Sequence, residues 1–545
     1  MKFAEMLIQD AKRRGLEHVF GIPGSGFPMD AMEAGRKAGI ESVHVAHEST
    51  AAIAAAYYGV TKGTSGLAIG VKGVGAGNMV GGVSNVYFER MPVLCVFESG
   101  PTDSNVDLVQ VADHDAMFGS VTKFQATLQR ETASQVLGVA ISESTHGRPG
   151  PVVLNVPLDF DDRDCGRLPP LSEGPSLLTP QEDDLQRARS LISKANNPVV
   201  IAGADVIREQ AIECLDAFVN ATGAAVLVSM EARGAYSELS PRWAGVLLGS
   251  YAEHCLEREI GDRADLFIFI GVDSLMTHAP WPYETPTIEL VQRADYRTMS
   301  PCPQVRVNGS LRESITLLTD LRDGGFPIEE IESVKKGISS YFKRPKNAKF
   351  AIQDIVNVTR SAFPSNGILV SETGAFITVL EHMWQFDKPG QFFGTAGGRT
   401  MGLMIPAAIG IKLAAPDVPV IGIGADGSTL MRMGELEAFA RLKISVPLVV
   451  VNDKALGTMK SRQKSRGMKE YGLDIAPVDY AAVARACGLN GVIVETPDDF
   501  RNELRRALDS NITTLIDARV DQEPYWDGFA LSIGAIPEDW SADEW

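Results

Sequence analysis

Short apolar runs recur along the chain, each closed by glycine, proline or an acidic residue. This is the pattern of strands buried on both faces of a parallel sheet. In the first third they fall at 18–22, 42–47, 66–71, 92–97 and 151–156, with a helical segment at 50–58. A second set lies at 198–202, 224–229, 266–271 and 304–307, and a third at 367–370, 419–423, 447–451, 491–494 and 514–518. Strands alternating with helices in three blocks predict an α/β chain of three domains, each a central parallel sheet flanked by helices. The blocks span 1–165, 183–338 and 346–520. The stretch 165–182, with Pro169, Pro170, Pro175 and Pro180, reads as an exposed linker. The lysine-rich stretch 339–349, with Pro345, reads as a second break. From Asp521 the chain turns acidic and aromatic (Trp526, Phe529, Trp540, Trp545), a tail expected to pack on the surface or to close a pocket.

Composition narrows the partners. A chain of 545 residues with 45% hydrophobic and 22% charged positions has a sizeable core. With 51 basic against 69 acidic residues the net charge is −18, which argues against nucleic acid or an anionic membrane surface. An anionic ligand must then be held by local positive groups or by a metal. The six cysteines (Cys95, Cys165, Cys214, Cys255, Cys302, Cys487) form no CxxC pair, against a zinc site or disulfide framework and in keeping with a reducing compartment. The opening MKFAEMLIQDAKRRG reads as an amphipathic helix without the apolar core of a signal peptide. No run of about 18 apolar residues occurs, so no membrane span is expected. These features describe a cytoplasmic globular protein with small-molecule ligands.

The candidate chemistry is concentrated in VIGIGADGSTLMRMGELEAFARLKISVPLVVVNDKALG, residues 420–457. One strand ends in Gly424-Ala425-Asp426-Gly427-Ser428 and a helix begins; a second strand ends in Asn452-Asp453. Both ends of a parallel pair point to the same sheet edge, where ligands bind. Asp426 and Asp453, 27 residues apart, can there share a hard cation such as Mg²⁺, which takes oxygen ligands and bridges to phosphates. Gly427 admits a close phosphate, and the N–H of Ser428 and its successors offer an anion site at a helix start.

This stretch resembles the thiamine diphosphate enzymes that include acetolactate synthases, benzoylformate and pyruvate decarboxylases, and benzaldehyde lyase. Their GDG…NN signature stands here as ADG…ND. The resemblance implies thiamine diphosphate and Mg²⁺ as cofactors, the metal held by Asp426, Asp453 and the Ala455 carbonyl. GTAGGRTMGLMIPAAIG, residues 394–410, is similar to the family's SGGLGTMGxGLPAAIG. It places Met401, 25 residues before Asp426, as the wedge that bends the cofactor, with Arg399 as a further cofactor contact. VAHESTAAIAAAYYGVTKG, residues 45–63, is similar to RHEQAAAFAADGYARATG and makes Glu48 the carboxylate on the pyrimidine nitrogen. GVGAGN, ending in Asn78, matches GPGxTN. GPVVLNVP, residues 150–157, matches GPVxLDIP. SETGAF takes the place of the diphosphate loop, with Gly374 and Ala375 as backbone donors. Gln110, 13 residues before Lys123, falls where acetolactate synthases carry an active-site glutamine.

The resemblance implies a lyase or carboligase acting on 2-oxo acids or acyloins through an enamine, similar to acetolactate synthase. Glu48 is expected from one subunit and Asp426 from another, making a homodimer the minimum and a homotetramer the usual assembly. A non-ligating 2-oxo acid decarboxylase is the rival; a flavin-dependent oxidase or a non-catalytic cofactor-binding subunit is less favoured. GADV at 202–205 follows a strand but lacks the glycine spacing of a dinucleotide loop. Substrate contacts are expected from Ser25, in GIPGS, and Lys72. Lys72 either meets an acidic substrate group or snorkels at a strand end. His114 is either an acid/base or a surface histidine. Residues 459–463, MKSRQ, either line the mouth and favour anions or form a solvated helix face.

Overall fold

The computed structural model describes residues 1–521 apart from 104–106, 172–173, 175, 252–254 and 321–323. The expected aromatic tail beyond Asp521 lies outside the described residues. Three sheets of six strands, parallel throughout, carry the chain. From edge to edge the first runs Glu41–His44, His18–Gly21, Gly66–Gly70, Val93–Ser99, Pro151–Pro157 and Phe124–Thr127. The third runs Phe392–Phe393, Ile368–Ser371, Val420–Ala425, Pro447–Asn452, Thr514–Arg519 and Asn490–Val494, the same winding order. The middle sheet is wound differently: Val305–Asn308, Thr287–Val291, Leu266–Ile270, Pro198–Ala202, Ala225–Ser229 and Trp243–Leu247.

The apolar runs became strands because each is shielded by helices on both faces; Gly66–Gly70, Pro151–Pro157 and Pro198–Ala202 are buried at every position. Four strands had no clear apolar run. Phe124–Thr127 is a half-exposed edge, and Phe392–Phe393 is two residues long. Trp243–Leu247 breaks register beside Val226, with Gly245 at φ +143°. Thr287–Val291 carries the buried Glu289, whose carboxylate accepts from the Met299 and Ser300 amides at 2.7 and 3.0 Å. Of the two expected breaks, the second begins inside the Ile328–Tyr341 helix. Cys165, at the start of the first, is buried and donates its amide to the Met1 carbonyl. Among the described residues none of the six cysteines forms a disulfide, and no helix is long and apolar enough to cross a membrane.

The first and third domains pack directly through two helices that are apolar all round, Glu48–Thr61 and Met404–Ala414. Small residues allow this. A Cβ on Gly410 would stand 2.1 Å from the Ala54 carbonyl oxygen. Two polar ties add to the contact, and a third joins the first domain to the middle one. Glu435 accepts from the Ala46 and His47 amides at 2.9 and 3.0 Å, immediately before Glu48. Glu89 accepts from Thr395, Ala396 and Gly398, in the segment leading to Met401. Arg148 crosses from the first domain to the middle one, donating to Asp273 at 3.1 Å and to the Val272 carbonyl at 2.8 Å.

Candidate active site

At the carboxyl edge of the third sheet, Val420–Ala425 ends and a short helix, Asp426–Leu430, begins at once. Pro447–Asn452 ends next to it, so Asp426 and Asp453 stand together, both buried. One Asp426 carboxylate oxygen accepts from the Gly427 amide at 2.6 Å and the other from the Lys454 amide at 2.8 Å; the Tyr480 hydroxyl donates to its carbonyl. Asp453 accepts from the Ala455 amide at 3.0 Å. Desolvation and then the Asp453 charge push the Asp426 carboxyl well above its usual range. Two buried carboxylates side by side form a donor set that suits a hard divalent cation.

These residues line a cavity of about 410 Å³. Gly427 is closely packed: a Cβ there would meet the ends of the Ile475 and Leu456 side chains at 3.1 Å and the Met401 Cε at 3.4 Å. Met401 lines the same cavity as the Asp426 loop and reaches close to Gly427. The Ser428 hydroxyl is buried there without a hydrogen-bond partner among the described residues. Gly374, Ala375 and Arg399 line the same space. Buried acids, an unpartnered hydroxyl and a glycine cradle at a helix start fit a diphosphate held through a metal.

Glu372 organises this cavity and was not singled out in the sequence, where SETGAF offered only its glycine and alanine. Its buried carboxylate accepts from Leu403 at 2.8 Å, Met404 at 3.1 Å and Ala425 at 3.2 Å. It thereby fastens the Met401 turn to the Asp426 loop, and burial pushes its carboxyl up to about 7. Glu381 and His278 are two further wall residues that sequence reasoning missed. His278 belongs to the middle domain, more than a hundred residues away in sequence, and no local motif marks it.

The first-domain candidates do not line this cavity. Glu48 opens its helix buried, its Oε2 accepting from the Asn78 side-chain amide at 3.0 Å. Ser25, Asn78 and Gln110 are exposed on the same domain, and Gln110 adopts φ +60°. The Gln110 carbonyl lies where a Cβ on Gly73 would sit, which with φ +62° requires glycine there. His114 departs from both sequence readings. It is buried, with Nε2 accepting from the Gly73 amide at 3.1 Å and Nδ1 donating to the Asn155 side-chain carbonyl at 2.9 Å. Both nitrogens are engaged, so it braces the glycine loop and has no free nitrogen for proton transfer. Lys72 likewise is ion-paired with the buried Glu98, which also accepts from the Phe27 amide at 3.1 Å. Its charge is matched within the domain and is not free for a substrate acid.

Comparison with known proteins agrees with this architecture. Three family models match in chain order: the thiamine pyrophosphate enzyme N-terminal binding domain over residues 1–129, the central domain over 185–306 and the C-terminal binding domain over 372–518. Among similar proteins are a sulfoacetaldehyde acetyltransferase of Castellaniella defragrans, 26% identical over 95% of this chain and 93% of that protein. The acetolactate synthase large subunit of Haemophilus influenzae is 26% identical over 98% and 97%. The acetolactate synthase isozyme 2 large subunit of Escherichia coli is 24% identical over 96% and 97%. With three matching domains in order and relatives aligned end to end, this chain belongs to the thiamine pyrophosphate enzyme family and is a thiamine diphosphate-dependent enzyme.

Proposed function

We propose that this chain is a Mg²⁺-requiring carbon–carbon lyase or carboligase of the acetolactate synthase type, acting on 2-oxo acids or acyloins. The observation that carries the reading is the buried Asp426–Asp453 pair at a helix start, with Met401 lining the same cavity. Asp426, Asp453 and the Ala455 carbonyl hold Mg²⁺; Ser428 and the backbone at Gly374 and Ala375 hold the diphosphate. Bound thiamine diphosphate supplies a carbon nucleophile for the substrate carbonyl. Met401, on the cavity wall, would press against the bound cofactor. Glu48 would hold a proton on the pyrimidine ring, its carboxylate kept in place by the Asn78 amide.

Glu48 does not line the cavity of its own chain, and this supports a homodimer in which each chain lends Glu48 to its neighbour's cavity. Exposed apolar residues beside it, Val74, Leu108, Val109 and Val111, give that contact an apolar surface. Similarity to acetolactate synthase and sulfoacetaldehyde acetyltransferase supports acyl-fragment transfer over simple aldehyde release. So does the engagement of both His114 nitrogens, which removes one candidate proton donor.

The test is calorimetric titration of wild type and Glu48→Gln with thiamine diphosphate and Mg²⁺, then incubation with pyruvate, benzoylformate and an acyloin panel, with products identified by mass spectrometry. Cofactor binding that requires Mg²⁺, with turnover falling about 10²–10⁴-fold in Glu48→Gln, is expected. Absence of cofactor binding by wild type defeats the reading.

A further inference from the structure

The cavity has a second polar feature besides the Asp426–Asp453 pair. Arg399, Arg462 and His278 reach it from three separate segments: the turn before Met401, the Gly457–Ser465 helix, and the middle-domain segment after Ser274–Met276. Among the described residues, Arg462 forms no ion pair. Arg399 donates its Nε to the Ala396 carbonyl at 2.9 Å, and its charge acts on two buried acids, Glu381 and Glu89. His278 is anchored through its backbone amide to the Gly249 carbonyl. Partial burial and then the charges of Arg399 and Arg462 hold its imidazole below the usual range, so both arginines act on one point of the wall. Of the acids nearest Arg399, Glu381 is buried with an unpartnered Oε1, and burial pushes it up to about 7; Glu89, bonded to the Gly398 amide, is raised by burial as well. Two guanidinium groups thus stand on the wall of one cavity inside a protein of net charge −18.

Backbone conformation gives an independent observation. Arg399 sits at φ +45°, a region unfavourable for any residue with a side chain. Aligning TMG of this chain with TMG of SGGLGTMG puts Arg399 where that motif has glycine. A long cationic side chain held at a glycine conformation, pointing into a ligand cavity, is strain located where a function repays it.

We propose that Arg462, Arg399 and His278 form a subsite for a negatively charged group on the substrate beyond the reacting carbonyl. The substrate class is then a 2-oxo acid, aldehyde or acyloin bearing a second acidic group, a carboxylate or a sulfonate. Arginine is suited to this because its planar fork meets such oxygens two at a time, and His278 adds a third donor once an anion favours its protonation. This inference rests on the lyase or carboligase reading and deepens it.

The test uses the holoenzyme with thiamine diphosphate and Mg²⁺. The ratio of kcat/KM for 2-oxoglutarate over 2-oxopentanoate, and for sulfopyruvate over 2-oxobutyrate, is measured in wild type, Arg462→Gln and Arg462→Lys. Calorimetric titration with unreactive succinate and sulfoacetate gives a readout independent of turnover, and cofactor affinity is measured on the same samples. Expected are a wild-type preference for the acidic substrates, a fall of at least about tenfold in that preference for Arg462→Gln, partial recovery in Arg462→Lys, and loss of dianion binding in the glutamine variant. Which pair shows the larger ratio tells carboxylate from sulfonate. A wild type that prefers the neutral chains overturns the proposal. So does an equal rise in KM for both members of a pair, which would place Arg462 on the 2-oxo acid's own carboxylate. Weakened cofactor binding at an unchanged ratio also overturns it, by placing the guanidinium on the diphosphate. In all three results cofactor binding and turnover in wild type still stand, so failure of the subsite is distinct from failure of the enzyme class.

Discussion

Asn78 donates its side-chain amide to Glu48 across 3.0 Å, joining the first turns of two helices. The bond orients the carboxylate that, on the proposed function, would meet the pyrimidine ring. Asn78→Asp sets a second carboxylate against the first. The expected result is an acidic limb of the kcat/KM–pH profile displaced upward by about one unit, with a smaller displacement for Asn78→Ala. An unmoved profile in both variants would separate Asn78 from Glu48 chemistry.

The two aspartates are not equivalent. Asp426 is fixed by two backbone amides and sits deeper, so Asp426→Ala should abolish Mg²⁺-dependent cofactor binding. Asp453→Asn keeps an oxygen ligand and removes a like charge, and should retain Mg²⁺ binding within about tenfold. Calorimetric titration of each variant with Mg²⁺ and cofactor checks the asymmetry.

Glu372 holds three backbone amides from two segments. Glu372→Ala leaves these buried donors unmet, at a cost on the order of 2–4 kcal/mol of stability. Because the segments carry Met401 and Asp426, cofactor affinity should fall with it. Chemical denaturation paired with cofactor titration measures both losses, and a stability loss alone would limit Glu372 to support.

Arg148 neutralises the buried Asp273 together with Arg90, whose Nε donates at 2.7 Å, and stacks on Tyr296 at 4.1 Å. Arg148→Met removes one partner of a buried pair and should cost about 3–5 kcal/mol. The loss falls between domains, so cleavage by trypsin in the 165–182 linker should accelerate, which limited proteolysis reports.

Glu231 gives a pH dependence of definite sign. Burial pushes its carboxyl up to about 7 from 4.5, with one oxygen on the Ser229 hydroxyl and the other unpartnered. A carboxyl raised on folding contributes stability that is present below pH 4.5 and lost as pH rises through about 7. Glu231→Gln should therefore raise the melting temperature relative to wild type more at pH 8 than at pH 5, as thermal scans at the two values would report. A pH-independent difference would show that ionisation is not what Glu231 costs.

Much of the architecture was readable because each buried strand advertises itself within five or six residues. Asp426, Asp453, Met401 and Glu48 were legible for the same reason: each lies at an element's end inside a contiguous motif. What escaped was set by partners distant in sequence. Thr287–Val291 looked interrupted because Glu289 is neutral to the pattern only when Met299 and Ser300 bond it. Lys72 looked available because Glu98 arrives from another strand, and His114 looked superficial because Asn155 does. His278 and Glu372 matter through a cavity that only the folded chain encloses.

Glu435 follows closely on the Asp426 loop, yet its carboxylate grips the two amides from which the Glu48 helix departs. A load on the phosphate-facing loop thus has a short lever to a glutamate that its own cavity does not contain. Two cavities in one assembly would be geared together through such levers, and filling the first would change the footing on which the second is filled.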